Sequence, residues 1–198
     1  ALLRSVEGLP GAVSAAALDV TDLAAYRAWL ERVAAFDIFI PNVSALSVDW
    51  ADAVRTDLQA TVDCTEAAIP FLMRSEHGAI TYIGSKAGSL AAPGSAAYGA
   101  VKAAMAHYMK SLSSRLLPRV RVNTVSPGDT LFEGGLWDRV RREEPARFEG
   151  VVQRNPLQRL ASAEEIARVV TFISSPAAGF VAGANWYVDG GSVAHVQI

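Results

Sequence analysis

The residues YIGSKAGSLAAPGSAAYGAVK, 82–102, contain the spacing Tyr-x-x-x-Lys twice, as Tyr82 with Lys86 and as Tyr98 with Lys102. The two copies fall on different predicted elements. Tyr82 lies in GAITYIGS (78–85), an apolar run that reads as a buried strand. Four residues of strand span roughly 13 Å, so its ring and the Lys86 amine need not meet. Tyr98 opens an alanine-rich helical pattern from Ser95 to Leu117 that stops before Pro118. On a helix, positions i and i+4 stand about 5–6 Å apart on one face. The chain holds five tyrosines and three lysines, so the spacing is a weak signal until geometry separates the pairs. A cation beside a phenol favours the phenolate, and such a tyrosine can exchange a proton with an alcohol or carbonyl oxygen near neutral pH. Ser85, at the end of the preceding strand, could hold the same oxygen. On geometry alone, Tyr98 and Lys102 read equally well as an acid–base pair or as an exposed helix pair.

Outward from this stretch, apolar runs alternate with helical patterns. VSAAALDV (13–20) reads as a buried strand, followed by a helix capped by Thr21 that runs to about Phe36. DIFI (37–40) is a second strand, broken at Pro41, and a polar turn leads to a helix from about Trp50 to Leu72. After the helix at 95–117 come VRVNTVS (120–126), closed by Pro127-Gly128, and a looser helical region at 133–150. Ser162 then caps a helix with Glu164 and Glu165 in its first turn, where acidic side chains favour the positive end of the dipole. GANWYVDGG (183–191) is a last strand and turn. Continuously apolar strands alternating with helices predict an α/β fold with a parallel sheet covered on both faces. Ligands of such sheets bind beyond the carboxyl ends of the strands, which selects Asp19, Asn42, Ser85 and the Pro127-Gly128 turn.

The remaining composition excludes several function classes. With 198 residues, 51% hydrophobic and 19% charged, the chain has the balance of a single α/β domain spanning 1–198. A net charge of -2 with no basic stripe argues against nucleic acid as partner. No apolar run is long enough to span a bilayer. Glu7, Gly8 and Pro10 interrupt what Arg4 and the flanking small residues could otherwise offer as a signal peptide. The single Cys64 cannot pair internally and fits a cytoplasmic location. His77, His107 and His195 are scattered and suggest no metal site.

The set DIFIPNVSA (37–45), YIGSKAG (82–88), YGAVK (98–102), NTVSPG (123–128) and GANWYVDGG, with Asp19-Val20 after a predicted strand, resembles the classical short-chain dehydrogenase/reductase family. It is similar to that family's 3-oxoacyl-(acyl-carrier-protein) reductase-like members. The resemblance covers nearly the whole chain and implies a Rossmann-like doubly wound sheet, bound NAD or NADP, and hydride transfer to or from an alcohol or ketone. It assigns Tyr98 as general acid/base, Lys102 as the residue that lowers its pKa and holds the nicotinamide ribose, and Ser85 as the group that holds the substrate oxygen. It places Asp19 and Val20 along the adenine and Asn42 near the adenosine ribose. Pro127, Gly128 and the Thr130 backbone would lie at the carboxamide. It also implies a substrate lid near 129–156, carrying Phe132, Leu136, Trp137, Val140 and Phe148. A homodimer or homotetramer would form through the small-residue helices at 58–72 and 95–113 and the last strand.

Three departures stand out. The usual Asn-Asn-Ala-Gly is here Pro41-Asn42-Val43-Ser44. The asparagine of the family's proton relay aligns with Asp57, which the resemblance makes a catalytic candidate, since that asparagine works through its main-chain carbonyl and aspartate offers the same. Its carboxylate either competes for the charge of Lys102 or is the solvated side chain of a kink residue. Nothing before Asp19 matches the glycine-rich βαβ unit that cradles the pyrophosphate, so a sheet with exposed edges is expected, in a chain that reads as N-terminally incomplete. An oxidoreductase is the leading reading. A cofactor-free scaffold of the same lineage and a non-redox epimerase or dehydratase are the alternatives.

Overall fold

Four parallel strands run in the order β1-β2-β3-β6 through the computed structural model, which describes residues 11–196. They are β1 (Ile38–Phe39), β2 (Ala79–Ile83), β3 (Arg121–Pro127) and β6 (Asn185–Val188). Each neighbouring pair is parallel, Ile80 lying beside Val122 and Val125 beside Trp186. Parallel strands need crossover connections, and helices supply them. The first helix, α1, is Leu23–Val33. The crossover from β1 to β2 is α2 (Trp50–Asp52), a π-helical stretch (Ala53–Ala60) and α3 (Thr61–Leu72) in unbroken succession. Then follow α4 (Ala96–Leu116), the two-residue strand β4 (Thr130–Leu131), α5 (Leu136–Glu143), α6 (Pro145–Arg154), β5 (Ala161–Ser162) and α7 (Ala163–Ser174). A small second sheet pairs β4 with β5.

Alternation along the strands sorts the core into two faces. Ile80, Tyr82 and Val122 point to one side and pack with Leu72, Val101, Met105 and Met109 of α3 and α4. Val125 points to the other and meets Ile166, Val170 and Ile173 of α7. On that second face Ser174 Oγ donates to Thr81 Oγ1 at 2.9 Å. The sheet is thus covered on both faces, as continuously apolar strands require.

Helix α7 is held at both ends. Ser162 and Glu165 form a reciprocal capping box at its start. At its end the Arg121 guanidinium donates to the carbonyls of Ile173, Ser174 and Ser175, among others, so a strand residue caps a helix 52 positions away.

Two expected features differ. Residues 13–20 form no strand; they take no regular secondary structure and are largely exposed, because no described strand lies beside them to complete a ladder. The cap of α1 is Asp22, not Thr21: the Thr21 hydroxyl is spent on Asp19 Oδ1 at 2.7 Å, and the Asp22 carboxylate takes the Ala25 N–H. Helix α1 nevertheless docks, with Tyr26 and Leu30 against Cys64 and Phe71. The expected open edge is present at β1, whose Ile38 and flanking Ile40 are 41% and 42% exposed. No helix among the described residues is long and apolar enough to cross a membrane.

Candidate active site

The cleft lies where parallel-sheet geometry predicts, beyond the carboxyl ends of β1, β2 and β3. It encloses about 610 Å³, and its walls include Asn42, Ser85, Tyr98, Lys102, Pro127 and Thr130. Sequence-distant residues meet there because two glycines let backbones touch. Ser85 lies two residues past the end of β2 and caps a 3₁₀ turn, Lys86–Gly88, its hydroxyl accepting the Ala87 N–H at 3.1 Å. A Cβ on Gly88 would stand 3.0 Å from the Ala103 nitrogen in α4, and one on Gly99 would stand 2.9 Å from the Ala87 oxygen. The turn carrying Ser85 therefore presses directly onto the first turns of α4, which carry Tyr98 and Lys102.

Lys102 is not on the surface. It faces the core at 4% exposure, and its Nζ donates to the Ile83 carbonyl at 3.1 Å. The ammonium stands over two rings, 5.0 Å from the Tyr82 centroid and 5.5 Å from that of Tyr98. This excludes the exposed helix pair. It also gives Tyr82 a place in the site that its strand position did not suggest, as a buried ring beneath the ammonium. Tyr82 and Lys86, by contrast, do not act as a pair. The Lys86 ammonium turns away to Asp129 at 2.5 Å and Ser192 at 3.3 Å, tying the Ser85 turn to the loop after β3.

Electrostatics follow from burial. Desolvation pushes Lys102 down to about 8, against the pull of Asp57, which raises it. The Tyr98 phenol is pushed above its ordinary value by burial, the Ser85 hydroxyl lowering it and the Asp57 charge raising it. The expected lowering by Lys102 is not what dominates at Tyr98; the ammonium faces the ring rather than the hydroxyl.

Asp57 lies in the π-helical stretch at 1% exposure, which excludes a solvated side chain. Its carboxylate accepts from the Ser44 hydroxyl and from the Ala45 N–H at 2.8 Å, and stands 3.9 Å from Lys102 Nζ. The sequence pointed to the charge contact with Lys102 and missed Ser44. Of the other expected site residues, Asn42, Pro127, Gly128 and Thr130 reach the cleft. Gly128 has a packing reason as well, since a Cβ there would stand 2.7 Å from Asp189 Cα. Val20 lies apart, in a smaller cavity of about 150 Å³ with Tyr26, Trp29 and Cys64, which Asn42 also borders. Asp19 lines neither cavity; its carboxylate is held by Thr21.

A family model described as Enoyl-(Acyl carrier protein) reductase matches residues 3–193. Isoepoxydon dehydrogenase patN of Penicillium expansum is 33% identical over 196 residues, covering 93% of this chain and 76% of that protein. The 3-oxoacyl-(acyl-carrier-protein) reductase FabG of Thermotoga maritima is 31% identical, with 97% of this chain and 82% of the relative covered. A short-chain dehydrogenase/reductase family oxidoreductase from Burkholderia thailandensis superimposes with a TM-score of 0.86 at 32% identity, over 98% of this chain and 79% of its own. The chain belongs to the short-chain dehydrogenase/reductase family.

Dehydrogenases and reductases of this family use NAD or NADP, and the cleft fits the nicotinamide end of such a molecule. Lys102 Nζ has three N–H donors and spends one on Ile83 at short distance, leaving donors for a ribose diol at the cleft floor. Gly84, which also lines the cleft, lies tight against β3, where a Cβ would meet Ser126 Oγ at 2.8 Å. Among the described residues no metal-holding cluster of His, Cys, Asp or Glu occurs, and no glycine-rich turn leads into a helix beside the cleft.

Proposed function

We propose that this short-chain dehydrogenase/reductase interconverts an alcohol and a ketone at the cleft, with Ser85, Tyr98 and Lys102 as its working residues. The convergence of these three side chains in one cleft at the carboxyl ends of the strands carries the reading. Bound NAD(P)H supplies the hydride. In the reducing direction the Tyr98 hydroxyl gives its proton to the substrate oxygen, and in the oxidising direction the phenolate takes it back. A phenol held protonated by burial suits the reducing role at neutral pH. Ser85 Oγ donates a hydrogen bond to the same oxygen and fixes its position. Lys102 holds the ribose and keeps positive charge beside the Tyr98 ring.

Residues 129–156, which carry β4, α5 and α6, serve as the lid of a single domain, and Phe132 already lines the cleft. Lid closure excludes water during the transfer. Titration calorimetry with NADH and with NADPH tests the reading, the expected result being saturable binding of one of them. Absence of heat with both cofactors overturns it.

The protein also self-associates through the β6 edge on this reading. Phe172 and Trp186 lie edge to face there, 6.3 Å between centroids, at 45% and 37% exposure, and Phe180 is fully exposed nearby in sequence. Apolar side chains so clustered mark an interface. Sedimentation velocity is expected to show a dimer or tetramer that Trp186→Glu weakens; a wild-type monomer at micromolar concentration refutes this.

A further inference from the structure

Leu46 stands out as a residue held where it would not rest by itself. Its φ is 49°, in the left-handed region that disfavours a branched side chain, and it is 67% exposed while lining the same cleft as Ser85, Tyr98 and Lys102. Such a conformation persists only when its surroundings over-determine it. Here they do so through a chain of hydrogen bonds anchored on a buried charge. The Asp57 carboxylate takes the Ser44 hydroxyl proton and the Ala45 N–H, while Ser44 Oγ accepts the Leu46 N–H at 3.1 Å. Three consecutive residues of the loop are therefore tied, directly or through one another, to one carboxylate in the helix behind them. Asp57 cannot drift away from this task. It is almost wholly buried, and a buried carboxylate needs hydrogen-bond partners, which Ser44 and Ala45 supply.

We propose that Ser44 and Asp57 form a latch that presents Leu46 as a specificity-determining side chain, selecting substrates with an apolar group flanking the reacting carbon. This rests on the carbonyl-reducing reading of the cleft. Ser85, Tyr98 and Lys102 engage the substrate oxygen and the ribose, so they do not discriminate between the groups on either side of the carbon. Leu46 supplies an apolar wall for one of those groups, and Phe132, 52% exposed, lines the same cleft. An apolar pocket discriminates by methylene count, about 10–200-fold for one methylene. Ser44, which itself borders the cleft, is a positioning residue that acts on substrate choice through Leu46.

The test uses methyl ketones from acetone to 2-heptanone with the preferred reduced cofactor, and amide hydrogen exchange on the same protein without substrate. For wild type, kcat/KM is expected to rise along the series, with the Ala45 and Leu46 amides protected. Leu46→Ala is expected to flatten the series, losing about tenfold at 2-heptanone through KM while acetone changes little. Ser44→Ala is expected to give the same flattening and to free the Leu46 amide while the Ala45 amide stays protected. The double variant should lose no more than either single one, and Ser44→Thr, which keeps the hydroxyl, should restore the wild-type profile. Additive losses, or a Ser44→Ala variant that slows acetone as much as 2-heptanone, overturn the latch. So do unprotected amides in wild type. Turnover with protected amides but a flat series in wild type overturns the specificity assignment alone. No turnover of any ketone, with cofactor bound, overturns the enzymatic reading and the specificity assignment with it.

Discussion

Tyr98→Phe is expected to lower kcat for ketone reduction by about 10²–10⁴-fold, the range over which a positioned proton donor contributes. The substitution removes one hydroxyl and leaves a ring of the same shape. The ammonium of Lys102, 5.5 Å from the ring centroid, keeps its aromatic neighbour, and the Gly88 and Gly99 contacts that hold the Ser85 turn to α4 are untouched. Melting temperature and affinity for NADH or NADPH should therefore stay near wild type while turnover collapses. Steady-state kinetics beside calorimetry separate the two. A variant that keeps more than a tenth of the wild-type rate shows that another group moves the proton.

The second large effect is on stability and depends on pH. Lys102 has a folded pKa near 8 against 10.5 unfolded. Below pH 8 both states carry the proton and the cost of burying the ammonium is borne in full. Between 8 and 10.5 the unfolded chain binds the proton and the folded chain does not, so stability attributable to this residue rises with pH. The rise amounts to roughly 2–4 kcal/mol, at 1.36 kcal/mol per pKa unit. Cys64 works in the opposite direction, because burial raises its thiol from 9 to about 11 and stability is lost as pH climbs through that window. The buried tyrosines Tyr26 and Tyr82, also raised by burial, oppose it above pH 10. The quantity to measure is therefore a difference. Urea unfolding of wild type and Lys102→Met at pH 7 and pH 10 should show the wild type gaining stability relative to the variant by that amount, the shared contributions cancelling. An unchanged difference between the two pH values would mean that Lys102 titrates normally and is not desolvated.

Legibility differed between elements for physical reasons. Ser162 could be read directly as a cap, because capping is a local arrangement within one turn, whereas Glu165 read only as a first-turn acid and its bond back to the Ser162 N–H appears in the structure. Strand β2 was equally plain, being largely apolar on both sides, and β3, with Asn123, Thr124 and Ser126 among its valines, was marked by the Pro127-Gly128 stop. VSAAALDV misled: its apolar run satisfies a strand pattern, but a strand exists only by pairing, and pairing is not a property of eight residues. Thr21 misled for a similar reason, since Asp19, two residues earlier, claimed its hydroxyl. In the cleft, Ser85, Tyr98 and Lys102 were found from spacing and resemblance. Ser44 was not, because its partner Asp57 lies 13 residues away across a turn of unpredictable path.

Residue order alone settles which atoms are available for chemistry and how Tyr98 stands to Lys102. Helical spacing converts residue number into distance without help from the rest of the chain. It takes the packed fold to bury the ammonium over the Tyr82 ring, to engage Asp57 with Ser44 and Ala45, and to bring Lys86 to Asp129, 43 residues on. Burial and charge pairing depend on everything packed around a group. Those two quantities set the pKa of Lys102 and the position of Leu46, and they emerge only when the strands and helices close on one another.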